Sequence, residues 1–205
     1  LRGAGDILST RQSGHVAAIG LHLYTQMLAQ AVRELKAQHD GGLPTSELPP
    51  KPPISESSVL IDLPLAAYLP TDWIPEITLR VQIYRRIGAL TTIADVEAMR
   101  AELQDRFGQL PAAVDGLLYQ INVKLLAQDA GASAVLARPG KIEVKLPYLV
   151  EMRREALEVM LSAGKRDIRV TRVAVEIQTT PETWRARLLE VLTSLATQRR
   201  LALGV

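Results

Sequence analysis

The sequence contains no cysteine in its 205 residues, which excludes disulfide bonds, thiolate catalysis and cysteine-ligated zinc in this chain. Aromatic residues make up only 4%, so we expect no platform of stacked rings for single-stranded nucleic acid. The net charge is only +2, from 24 basic and 22 acidic residues, and does not by itself indicate nucleic-acid binding. No apolar run approaches the roughly 18 residues of a transmembrane helix, and no signal-peptide layout is present. We therefore expect no membrane association and a cytoplasmic protein.

What is present is the composition of a folded protein, with 47% hydrophobic and 22% charged residues. A proline-rich stretch with Pro44, Pro49, Pro50, Pro52 and Pro53 divides the chain, because this composition is typical of a linker. We predict a loop and long helix over residues 1–40, a linker over residues 41–56 and an independent domain over residues 57–205.

Apolar periodicity and turn residues predict the elements of the third region. A short strand over residues 59–63 precedes three helices, which start near Pro75, Thr92 and Pro111. The first of these helices is predicted to turn Ile77, Val81 and Tyr84 toward the core. A hairpin over residues 134–146, a helix over residues 148–163, one strand over residues 168–177 and a final helix from residue 180 follow. This order predicts an α+β fold, a small mixed β-sheet covered by helices.

No catalytic or metal site emerges from the motifs. Gly140-Lys141 and Gly164-Lys165 lack the preceding glycine that a phosphate-binding loop requires, so nucleotide binding is not expected at either. The three histidines are His15, His22 and His39. His15 and His22 lie seven apart on one predicted helix face, but no cysteine or nearby carboxylate completes a tetrahedral metal set with these two.

The densest positive charge is formed by Lys165, Arg166, Arg169 and Arg172, which we call the basic run. These side chains suit DNA phosphates or an acidic protein surface. They equally suit an exposed turn and edge strand, where charge discourages aggregation. The sequence leaves both interpretations open.

Several short segments resemble known proteins. Arg-Gly-Ala-Gly at residues 2–5 and Gln-Ser-Gly-His at residues 12–15 closely resemble the translocation motif of RecG-type DNA translocases. The continuation over residues 15–24, and residues 68–86 and 105–111, are similar to the C-terminal part of the transcription-repair coupling factor family. Ser9 and Asp6 depart from that motif, which usually has glycine at the first position and Asn or Glu at the second.

The resemblance implies roles that composition does not show. Arg2 and Gln12 match the residues that couple ATP-driven lobe movement to DNA, and Arg11 is a further candidate for contact with DNA or a partner. The ATP and Mg²⁺ sites of the double-stranded DNA translocase would lie upstream of Leu1, in a bacterial parent protein that displaces stalled RNA polymerase. This chain itself would bind no cofactor and catalyse no reaction.

The resemblance also implies that residues 57–205 are a regulatory domain that masks the UvrB-like N-terminal module of the same protein. Masking would hide the surface that recruits UvrA and nucleotide-excision repair to damaged DNA. The alternative from another functional class is a nucleic-acid-binding accessory module of a RecG-like helicase, which would act through Arg2, Arg11 and the basic run.

Overall fold

The computed structural model describes residues 59–151, 153–162 and 164–204. The predicted boundaries at residues 40 and 56 lie outside this part of the chain. The strands are β1 (Leu60–Asp62), β2 (Ala134–Arg138), β3 (Lys141–Lys145), β4 (Ile168–Val170) and β5 (Ala174–Gln178). The helices are α1 (Ile77–Gly88), α2 (Ile93–Phe107), α3 (Ala112–Asp129), α4 (Arg154–Ser162) and α5 (Trp184–Leu203), with a 3-10 helix over Pro147–Glu151.

The five strands form one mixed sheet in the order β1-β2-β3-β5-β4. β1 pairs with β2 in parallel, and the other neighbouring strands are antiparallel. Alternate residues of a strand point to opposite faces, so Val135, Val144 and Val175 share one face. These valines pack into a hydrophobic core with α3, α4 and α5. The predicted α+β class is therefore confirmed.

A second hydrophobic core lies among α1, α2 and the first half of α3. Helix α2 starts at a capping box, in which Thr92 Oγ1 accepts a hydrogen bond from the Asp95 amide at 3.1 Å and the Asp95 carboxylate accepts one from the Thr92 amide at 3.1 Å. Helix α3 joins the two cores, since Leu117 and Ile121 pack in the helical core while Tyr119 and Val123 pack on the sheet.

The orientation predicted for α1 is wrong at its start. Ile77 is exposed, and Val81 and Tyr84 are only half-buried. The buried face of α1 consists of Ile83 and Ile87 instead. Helix α1 has two apolar rows, and only tertiary contact determines which row faces the core.

Two other predicted elements are each divided in the structure. The helix predicted over residues 148–163 is a 3-10 turn followed by α4, because the Tyr148 hydroxyl donates a hydrogen bond to the Ala130 carbonyl and fixes that turn against the end of α3. The strand predicted over residues 168–177 is the pair β4 and β5. A tight turn separates them, since the Thr171 amide donates to the Ala174 carbonyl at 2.8 Å and the Ala174 amide donates to Thr171 Oγ1 at 3.0 Å.

Candidate interaction surfaces

The basic run wraps around the edge strand β4. Lys165 and Arg166 lie in the loop before β4, Arg169 lies on the strand, and Arg172 lies in the turn after it. All four side chains are exposed, and none makes an ion pair or hydrogen bond with another described residue. The structure therefore brings these four residues to one edge of the sheet. Arg2, Arg11 and Gln12 lie outside the described residues.

A buried arginine fixes the loop that carries the first two cations. Arg187 of α5 donates from Nε to Asp167 Oδ2 at 2.6 Å and from Nη2 to Asp167 Oδ1 at 2.9 Å. Its Nη2 also donates to the Leu161 carbonyl, at 2.8 Å, near the C-terminal end of α4. These bonds from Arg187 hold the pKa of Asp167 below its usual value. The ends of the loop are thus anchored while Lys165 and Arg166 project outward.

The same edge has an open groove of about 270 Å³ between α4 and β4, lined by Arg154, Glu155, Glu158, Val159 and Val170. Glu158 Oε2 accepts a hydrogen bond from the Val170 amide at 2.9 Å. This N–H would otherwise be available to an added strand, so the carboxylate protects the sheet edge. The groove carries more negative than positive side chains and does not extend the positive surface of the basic run.

On the sheet face opposite the helices, one lysine separates two carboxylates. Glu143 and Glu176 are direct neighbours on β3 and β5. Lys141 Nζ lies 2.9 Å from Glu143 Oε1 and 2.8 Å from Glu176 Oε1. Hydrogen bonds to these two carboxylates, first that of Glu176, raise the pKa of Lys141. Lys141 of the Gly140-Lys141 pair therefore stabilises the sheet through these ion pairs. It lies at a hairpin turn, as the sequence predicts.

An exposed ion-pair network joins α1 and α2. Arg86 donates from Nη1 and Nη2 to the two carboxylate oxygens of Glu102, each at 2.5 Å, and Arg106 Nη1 donates to Glu102 Oε1 at 3.1 Å. The bonds from Arg86, followed by those from Arg106, lower the pKa of Glu102 to about 2. We call Arg86, Glu102 and Arg106 the α2 network.

The α2 network and Arg187 are both missing from the sequence predictions. Arg86 and Arg106 lie within segments that the resemblance singles out, but the sequence gives no sign that one glutamate serves both guanidinium groups. Arg187 looks like an ordinary helix residue until its aspartate partner, 20 positions away, is placed beside it.

In the described part of the chain, no three His, Cys, Asp or Glu side chains form a group that could hold a metal ion. No helix there is both long and apolar enough to cross a membrane.

Comparison with known proteins identifies the family. The family model described as the TRCF domain matches residues 63–155. The Transcription-repair-coupling factor of Mycobacterium tuberculosis is 36% identical over 141 residues, which are 67% of this chain and 11% of that protein. The namesake from Haemophilus influenzae is 35% identical over 128 residues, or 62% of this chain and 10% of that protein. This chain belongs to the transcription-repair-coupling factor family.

A third relative, the Transcription-repair-coupling factor of Staphylococcus aureus, is 32% identical over 146 residues, or 71% of this chain and 12% of that protein. A crystal structure of the C-terminal domain of transcription-repair coupling factor has the same fold, with a TM-score of 0.59 at 18% identity. The similarity covers 71% of this chain and 95% of that structure. The described part of the chain thus has the fold of that C-terminal domain, and the matches span 10% to 12% of the three relatives' length.

The segment that matches the family model contains one candidate surface, the α2 network, and excludes another, the basic run. The α2 network and the whole helical core lie within the TRCF domain match. The match ends at residue 155, so the basic run and Arg187 follow it.

Proposed function

We propose that this chain is a regulatory C-terminal domain of a transcription-repair-coupling factor and that it acts by contact, without catalysing a reaction. The observation that carries the proposal is membership of this family together with the fold of its C-terminal domain. In the parent protein, the domain would restrain the UvrB-like N-terminal module and hide the surface that recruits UvrA. Binding of the parent to stalled RNA polymerase would release this restraint and direct repair to the damaged DNA.

The physical requirement is an interface inside the parent protein that closes and reopens. Interfaces between domains of one chain are commonly polar and of modest size, and relative movement is their default behaviour. Tethering raises the effective concentration of the domain, so weak contacts are sufficient to keep it closed. A ligand that binds only the open state then shifts the population toward it.

We place this interface at the α2 network. The network lies in the segment that matches the family. Its two arginines are exposed, at 48% for Arg86 and 44% for Arg106, and Glu102 is half-buried, at 33%. Because the three side chains already hold one another in place, contact with a partner costs little additional conformational entropy. A preordered set of charges also favours one partner and one orientation. The basic run is the alternative location for this interface, and reversing the charge of its arginines would test that alternative.

Truncation of the parent protein tests the proposal. Removal of residues 57–205 is expected to strengthen UvrA binding, measured by calorimetry, by roughly 5- to 150-fold, the usual range for coupling between two sites. Equal affinities of the intact and truncated proteins would show that the domain does not mask the UvrA surface.

For residues 1–40 we propose the coupling role that the resemblance implies, with Arg2 and Gln12 linking ATP hydrolysis upstream to movement on double-stranded DNA. ATP and Mg²⁺ would then belong to the parent's motor. This role concerns residues outside the described part of the chain and is separable from the masking proposal.

A further inference from the structure

Helix α1 carries a row of apolar side chains beside its buried face, of which Ile77 is exposed, Val81 is half-buried and Tyr84 is half-buried against the helical core. Ile77, Val81 and Tyr84 recur at i, i+4 and i+7 and so follow one side of the helix. The helix is attached to the core through a different face, formed by Ile83 and Ile87. Ile77 is 62% exposed. We call Ile77, Val81 and Tyr84 the α1 stripe.

Tyr68 widens this apolar surface. This residue is 53% exposed. The amide of the next residue, Leu69, donates a hydrogen bond to the Tyr84 hydroxyl oxygen at 2.6 Å, which holds the loop against the stripe. Burial raises the pKa of Tyr84, and the nearby Tyr68 adds to the same effect. The exposed Tyr68 therefore lies near the Tyr84 end of the stripe and the exposed Ile77 forms its other end, and exposed apolar side chains of this kind mark interaction sites.

The charges beside the stripe are positive. Helix α1 contains three arginines and no acidic residue. The charge of Arg86 is offset by Glu102. Arg80 Nη1 donates to the carbonyl oxygens of Ile74 at 2.6 Å and Pro75 at 2.9 Å, and those neutral partners leave its charge uncompensated. Arg85 is exposed and makes no ion pair with any residue of the described part.

We propose that the α1 stripe binds an amphipathic helix of a partner protein, with an apolar row at i, i+4 and i+7 bordered by Asp or Glu. The row spacing of the stripe suits helix-on-helix packing, and the two uncompensated arginines select acidic borders. At 100° per residue, Arg86 lies on the opposite side of α1 from Ile77. The stripe is thus separate from the α2 network, and the proposal goes beyond the masking function.

The probe is a fluorescently labelled synthetic helical peptide with leucine at i, i+4 and i+7 and glutamate on both borders. Its matched twin has lysine in place of each glutamate. Fluorescence anisotropy measures the affinity of each peptide for the whole 205-residue chain. The acidic peptide is expected to bind about tenfold more tightly than its twin, because only its borders complement Arg80 and Arg85.

Two exposed positions allow the stripe to be altered without disturbing the core. Ile77→Ser and Arg85→Glu are each expected to weaken binding of the acidic peptide about tenfold, and Arg85→Glu is expected to strengthen binding of the lysine twin. Val159→Ser and Arg166→Glu are matched controls at exposed sites elsewhere, and leave both affinities unchanged.

Equal affinities of the two peptides would overturn the proposal, as would binding that Ile77→Ser and Arg85→Glu do not change. Sedimentation of the chain alone provides the remaining check. A concentration-dependent dimer that Ile77→Ser abolishes would assign the stripe to a second copy of this chain and would also overturn the proposal.

Discussion

Arg187 and Asp167 form a two-point ion pair that connects α5 to the loop before β4, with N–O distances of 2.6 Å and 2.9 Å. The Arg187 side chain is only 7% exposed, and Asp167 is 22% exposed. Because the same guanidinium also binds the Leu161 carbonyl, one side chain holds the end of α4, the loop and α5 together. The position of the basic run therefore depends on a residue outside it.

Replacement of Arg187 by methionine is expected to lower the free energy of unfolding by about 3 kcal/mol, since it leaves Asp167 partly buried without its cation. Urea denaturation measures the change. Arg169→Met, at an exposed arginine without an ion pair in the described part, is the control and is expected to stay within about 0.5 kcal/mol of the original chain. Equal effects at the two positions would contradict the structural role of Arg187.

The same pair predicts an acid-dependent loss of stability. Arg187 lowers the pKa of Asp167 in the folded state, so the stabilisation is complete above the unfolded pKa of about 3.9 and is lost as the pH falls through the folded value. Urea denaturation at a series of pH values below about 4 should therefore show a smaller pH dependence for Asp167→Asn than for the original chain. An unchanged slope would show that the pair does not titrate as proposed.

The sequence predicted most elements of the sheet and helices because their apolar residues repeat with the period of the element. Thr92 and Asp95 are close in the chain, so their capping box is a local signal. Two features required the tertiary structure. The turn after Val170 contains no glycine, proline or asparagine and depends on Thr171 hydrogen bonds, and Ile77 belongs to one of two possible apolar rows.

Of the candidate surfaces, the sequence predicts the clusters of neighbouring residues but not the ion pairs between distant segments. The basic run is visible as a cluster in the chain, and its position at an edge strand agrees with one of the two interpretations left open. In the strand Lys141–Lys145, period-2 alternation already places Lys141 and Glu143 on one face. The partners Glu176 and Arg187 come from distant segments, so no local pattern could identify these ion pairs.

Gly116 is expected to be the glycine of α3 that tolerates no side chain. A Cβ at this position would lie 2.0 Å from the Ala66 carbonyl oxygen, where the chain crosses α3 after β1. Gly116→Ala should destabilise the fold by about 2–4 kcal/mol through overpacking. Gly88→Ala in α1 is the matched control, because its Cβ meets open space, and is expected to be neutral or stabilising by up to about 1 kcal/mol. Thermal unfolding of both variants decides the matter, and a neutral Gly116→Ala would refute the close approach.

Lys141→Met is expected to destabilise the sheet, because Glu143 and Glu176 would then face each other without the lysine between them, and only the more distant Arg138 would remain beside Glu143. Glu176→Gln in the same protein should restore most of the lost stability. Thermal unfolding at neutral pH measures the effect. Lys145→Met, at an exposed position opposite Ala174, is the control. If the two lysine variants behave alike, Lys141 does not shield the carboxylates.

In the parent protein, Arg2→Ala and Gln12→Ala are expected to reduce DNA translocation more than ATP hydrolysis. The reason is the coupling role that their resemblance to the translocation motif implies. Triplex displacement measures translocation, and phosphate release measures ATP hydrolysis in the same samples. A proportional loss of both activities would assign these residues to the chemical step or to folding.

The most direct test of the contact account is the UvrA affinity of the parent protein carrying Glu102→Lys. This change turns the centre of the α2 network positive while leaving both hydrophobic cores intact. Glu97→Lys, on the same helix and 57% exposed, is the matched control. We predict that calorimetry will show a higher UvrA affinity for Glu102→Lys than for the original protein. The UvrA affinity of Glu97→Lys should equal that of the original protein. Unchanged affinity for Glu102→Lys, with tighter binding on charge reversal of Arg166, Arg169 and Arg172, would contradict the placement of the interface on α2.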